Sequence, residues 1–128
     1  MESTVSIDQF QAELQAWKHE LSAFKHEIRH FEHHLENMSS KNLPKHLLAQ
    51  VEHFQNSFIC QKEVIDKLRH DLPDSRHKVE HIYKTRRMIL DDEEGMDVHA
   101  LLRDRMFIFR RIYGEVRGDF EKFESDWS

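Results

Sequence analysis

The apolar residues in the first third of the chain are Ile7, Phe10, Leu14, Trp17, Leu21, Phe24, Ile28, Phe31, Leu35 and Met38. Their spacing alternates three and four without a miss. That seven-residue repeat belongs to a helix that lays one apolar seam against a partner. No Gly or Pro interrupts it, and at 1.5 Å per residue it would run about 48 Å. Ser6 is placed to cap its start, with Ser3 or Thr4 as alternatives, and Asp8 suits the first turn. Ser39, Ser40, Lys41 and Asn42 form a turn-like polar cluster after it. With Ile7 at position a and Phe10 at d, Glu13, Glu20 and Glu27 fall at g, and Lys18 and Lys25 at e. These flanking charges mark the borders of the seam.

A second stripe comes next: Leu47, Val51, Phe54, Phe58, Gln61, Ile65, Leu68 and Leu72. Pro44 suits the first turn of this helix. Gln61 is its one polar member and needs hydrogen-bond partners if buried. Leu48, Ile59 and Val64 lie beside the strict stripe and widen the apolar face, which favours a bundle of three or more helices. Pro73 ends the pattern, and Asp74 or Ser75 can cap a third helix. The third stripe carries Val79, Ile82, Tyr83, Arg86, Ile89 and Leu90. It runs into an acidic stretch (91–94) and Gly95, a good terminator, with Asp97 a good cap for the fourth helix. The fourth stripe is Leu101, Leu102, Arg105, Phe109, Ile112, Val116, Phe120 and Phe123, with Trp127 after it.

These patterns predict an all-α fold: an elongated antiparallel bundle of four helices, up-down-up-down, with coiled-coil-like heptad packing. The helices fall at roughly 6–39, 44–72, 75–93 and 97–125 within one domain, 1–128. A three-helix alternative fuses the last two into one rod. The short turn near 40–44 makes the second helix the nearest partner of the first, because a local hairpin costs less entropy than finding another chain. The aromatic d positions Phe10, Trp17, Phe24 and Phe31 also suit a bulky bundle core.

Composition agrees with long helices: the chain has only 3 Gly and 2 Pro, and 34% of its residues are charged. A net charge of -5 makes nucleic acid or an anionic membrane an unfavoured partner. One cysteine, Cys60, makes no internal disulfide and suits a reducing compartment; it sits where a half-buried small hydrophobe fits. The N-terminus lacks a signal-peptide pattern, and no apolar run approaches a membrane span. A soluble cytoplasmic protein is expected. Protonation of all 11 histidines would move the formal charge from -5 to +6, so the surface would change sign near the titration range of imidazole.

Three histidine pairs, His26–His30, His30–His34 and His77–His81, have the four-residue spacing that can place two imidazoles on one metal. His19, His26 and His33 occupy f positions facing water, and no cysteines are placed to complete a site. The five residues His26, His30, His34, His77 and His81 are therefore candidate ligands, but no metal site is assigned. Glu27 and His30 have the Glu-x-x-His spacing of di-iron bundles, and Asp74 and His77 resemble it, but the stripes they flank are apolar. Arginines gather in the second half, including Arg103, Arg105, Arg110, Arg111 and Arg117, among enough acids to predict ion pairs rather than a phosphate site. Gly114 and Gly118 have the spacing of a close helix approach. No nucleophile elbow or phosphate-cradling glycine loop is present.

The reading is a non-enzymatic structural or protein-interaction bundle without a cofactor, self-associating through its first helix or through Met106, Phe107 and Phe109. Metal binding by the histidines, and anion or nucleic-acid binding by the fourth helix, are the alternatives.

Overall fold

The computed structural model describes residues 6–74, 76–90 and 98–127. They form α1 (Ile7–Ser39), α2 (Lys45–Asp71), α3 (Arg76–Leu90) and α4 (Val98–Trp127), with no strand among the described residues. The acidic stretch 91–94, Gly95 and the Asp97 cap lie outside them, as do Ser3, Thr4 and Ser75 and the side chains of Tyr83, Arg86, Ile89 and Leu90.

Local signals set the helix ends. Ser6 Oγ accepts from the Gln9 N–H at 3.1 Å, and Gln9 Oε1 accepts from the Ser6 N–H at 3.1 Å. This reciprocal capping box satisfies two of the donors that every helix start leaves open. Pro44 precedes α2, its carbonyl accepting from the N–H groups of Leu47 and Leu48. At the other end Leu72 is extended, with ψ 130°, because Pro73 excludes the helical conformation there.

Helices α1 and α2 form the antiparallel hairpin that the short turn favours. Lys25 meets Asp66 at 2.6 Å and Glu32 meets Lys62 at 2.9 Å, so positions rise on one helix as they fall on the other. Helix α4 is antiparallel to α2: Asp71 pairs with Arg105 at 2.9 Å, and Phe54 packs on Phe123 at 5.1 Å between ring centroids. Helix α3 packs on α1, near Lys18, with Val79 buried.

The up-down-up-down order is corrected by these contacts. That order sets α4 opposite in sense to α1, but the two are parallel here. Glu13 faces Arg103, Glu20 Arg110, Glu27 Arg117 and His34 Glu124. Each pair is 90 residues apart, so both helices advance together, one heptad per rung. The physical reason is the pairing itself, which matches Glu13, Glu20 and Glu27 with Arg103, Arg110 and Arg117 when α4 starts at the level where α1 begins. His99 accordingly packs on Phe10 and Trp17.

The core lies between α1, α2 and α4. Phe10, Leu14, Leu21, Ile28 and Leu35 are fully enclosed, with Phe58 and Ile65 of α2 and Met106 and Phe120 of α4. Each such side chain contributes about 1.5–3 kcal/mol through removal from water. Six Phe rings, Phe24, Phe31, Phe54, Phe58, Phe109 and Phe120, run through it in tilted and edge-on contact. Such geometry suits the ring quadrupole better than face-to-face stacking.

Candidate interaction surface

Polar groups on α1 separate by flank. The e positions Lys25 and Glu32 address α2, through Asp66 and Lys62. The g positions Glu13, Glu20, Glu27 and His34 address α4. In the last heptad the sign inverts on both flanks: Lys gives way to Glu32 at e, and Glu to His34 at g. Both partners invert with it, to Lys62 and Glu124. A one-heptad slip would therefore place like charges together at the end of the bundle, which makes the ladder a register device.

Two rungs reach into the core. His99 is 1% exposed. Its Nε2 meets the Glu13 carboxylate, its Nδ1 lies 3.4 Å from Arg103 Nη2, and its ring sits between Phe10 and Trp17. Tyr113 is buried against Phe24 and Phe109, and its hydroxyl donates to Glu27 Oε1 at 2.5 Å. Burial, reinforced by that carboxylate, pushes the phenol well above the ordinary tyrosine range. At the surface, bonds from Lys25 to Asp66, Arg105 to Asp71 and Lys78 to Asp74 hold the three carboxyls below their ordinary range. Burial lowers Lys18, partly offset by Asp74.

The flank of α4 away from α1 differs. Leu101, Ile108 and Ile112 are each about two-fifths exposed, as is Val64 of α2. Val64, Ile108 and Ile112 line an apolar groove between α2 and α4, with Leu68 and Phe109 at its floor and Lys67 and Arg105 at its rim. Gln61 lines the same groove. It is buried, and its Oε1 has no hydrogen-bond partner among the described residues. An unsatisfied buried amide oxygen costs about 1–3 kcal/mol, so this edge of the core holds a polar group without its complement.

The predicted interaction residues divide. Met106 and Phe109 are buried in the core, and only Phe107 is exposed, at 61%. The inward face of α4 is His99, Leu102, Met106, Phe109, Tyr113, Phe120 and Phe123. It is rotated from the stripe expected from sequence, so Leu101 and Ile112 turn outward while Met106 and Tyr113 turn in. Phe107 lies away from the α2 groove. A Cβ added at Gly114 or Gly118 would meet nothing within 4 Å, so the two glycines admit no close helix among the described residues. Arg105 finds its carboxylate in Asp71. Cys60, expected half-buried, is exposed.

Of the candidate metal ligands, His26, His30, His77 and His81 are exposed, and His34 is engaged by Glu124. His77 and His81 line a cleft at the α2–α3 corner with His70. Among the described residues no three His, Cys, Asp or Glu converge as a metal site would require. No described helix is long and apolar enough to cross a membrane.

Sequence reasoning missed His99 as a buried residue. The signal was available: His99, Met106, Tyr113 and Phe120 are seven apart, and continuing that series back from Phe120 reaches it. Comparison with protein-family models, characterised proteins and solved structures finds no match.

Proposed function

We propose that this chain is a non-enzymatic structural or protein-interaction bundle whose working surface is the α2–α4 groove. The observation that carries the reading is Ile108 and Ile112 standing exposed beside Val64 in one groove, which also holds a buried Gln61 oxygen without a partner among the described residues. The same helix gives one flank to the charges of α1 and its inward face to the core, and Phe107 stands exposed away from the groove. Contiguous exposed apolar residues rimmed by charge are the usual form of a protein-binding patch. A catalytic reading would need polar groups free to meet a substrate. The buried titratable ones, His99 and Tyr113, are held by Glu13 and Glu27. The single exposed Cys60 suits a reducing compartment such as the cytoplasm.

The test is selective capture from the native host, comparing the wild-type chain with Ile108→Glu/Ile112→Glu. The reading predicts a protein, a second copy included, retained by the wild type and lost by the variant. Equal retention by both, or none by either, contradicts it.

A further inference from the structure

We infer that the outer seam of α4 is the self-pairing surface of a two-fold dimer, with α4 of one copy antiparallel to α4 of a second. This rests on the α2–α4 groove being the working surface. The outer seam reads Leu101, Arg105, Ile108, Ile112, Glu115 and Asp119, stepping four, three, four, three, four. It is a second heptad stripe on a helix whose first stripe is already buried. Ile108 and Ile112 are the exposed apolar centre of the seam, and Leu101 is an outer apolar position. Arg105 lies toward one end, a third exposed, and Glu115 and Asp119 are exposed toward the other.

A two-fold contact must be self-complementary, because each residue meets the image of its counterpart. Turning α4 end for end about a point midway between Ile108 and Ile112 pairs Ile108 with Ile112 of the second copy. It also pairs Arg105 with Glu115 of the second copy, and each pairing occurs twice. The centre is then apolar, the next pair on each side carries opposite charges, and the outermost pair sets Leu101 against Asp119. In a parallel arrangement each residue would meet its own image, placing Arg105 on Arg105 and Glu115 on Glu115. The pattern therefore selects the antiparallel two-fold.

A further observation agrees: Arg105 uses one nitrogen, Nη2, on Asp71 at 2.9 Å, which leaves guanidinium donors for a second carboxylate. The occupant is thus a second copy of this chain.

The experiment uses light scattering after size exclusion, or sedimentation, across a wide concentration range. Three samples decide it: the wild type, Arg105→Glu and Glu115→Arg, each checked for unchanged helicity by circular dichroism. The wild type is expected at twice the 15.5 kDa chain mass. Each single variant sets like charges against each other at both flanks and falls to the chain mass. An equimolar mixture restores both opposite-charge pairs in the heterodimer and returns to twice the chain mass. Loss of Arg105–Asp71 in one variant is a partly exposed pair and leaves the fold standing. A wild type that stays at the chain mass throughout overturns the inference and self-association with it. A wild-type dimer that survives both variants, or a mixture no heavier than its components, overturns this surface while leaving self-association by another route.

Discussion

Arg110 grips the Glu20 carboxylate with two nitrogens, Nε and Nη2, from 90 residues further along the chain. The contact is the second rung of the ladder that sets α4 parallel to α1. Both side chains are about a third exposed, so its energetic weight is modest and its value lies in choosing the register. Reversing one charge, Glu20→Arg, is expected to destabilise the fold by about 1 kcal/mol, and Glu20→Arg/Arg110→Glu to recover most of it. Urea unfolding of the full cycle reads the coupling. Two additive single effects would show that the rung selects nothing.

His99 should be the most sensitive polar position. Its ring fills the space between Phe10 and Trp17 and engages Glu13. His99→Ala removes packing and a buried partner together, an expected loss of about 2–4 kcal/mol. The urea midpoint should fall with little change in slope. A loss within about 0.5 kcal/mol, the range of an ordinary surface change, would contradict the buried placement.

Tyr113 links stability to high pH. Its folded pKa is raised above the ordinary value of 10.0, so the folded state holds the phenol proton more tightly than the unfolded chain. The resulting stability is fully present below pH 10 and is lost as pH rises through the folded value. Tyr113→Phe should cost about 1–2 kcal/mol near neutrality by removing the bond to Glu27, and should flatten the alkaline decline. Ultraviolet titration of the wild type should show a phenol that ionises only as the fold is lost. Ionisation of Tyr113 near pH 10 in the folded protein would contradict the burial.

Phe107 and Phe109 separate surface from core on one helix. Phe107→Ser should change stability by less than about 0.5 kcal/mol, whereas Phe109→Ala should cost about 3–5 kcal/mol. Thermal or urea melts of the two variants check that Phe109 is core and Phe107 surface. Comparable losses would contradict that placement.

Helix existence and the α1–α2 hairpin were legible in the sequence because one unbroken heptad stripe leaves α1 a single inward face. Ser6 and Pro73 marked their ends for local steric and hydrogen-bonding reasons. The g-position glutamates were visible as flanks, but their partners lie 90 residues away, and spacing within one helix carries no information about that distance. Rotation of α4 was not legible for a related reason. It bears two overlapping stripes, one through Met106 and Tyr113 and one through Ile108 and Ile112, and both repeat every seven residues. Packing against α1 and α2 in the parallel register buries the first of them. The groove with Gln61 at its edge results from that choice. The sequence showed Gln61 as a polar break in a stripe but not that its oxygen would lack a partner.

The parallel course of α1 and α4 therefore underlies both the core and the surface assigned to interaction. It is tested most directly by a distance between spin labels at Ala12→Cys and Ser125→Cys, in a chain whose exposed Cys60 is replaced by Ser and which is diluted into excess unlabelled chain, so that only distances within one copy are read. Both label sites are exposed. In the parallel register Ser125 stands level with Leu35, so the labels lie about 35 Å apart along the axis. A distance under about 20 Å, as neighbouring antiparallel helices would produce, would contradict the account.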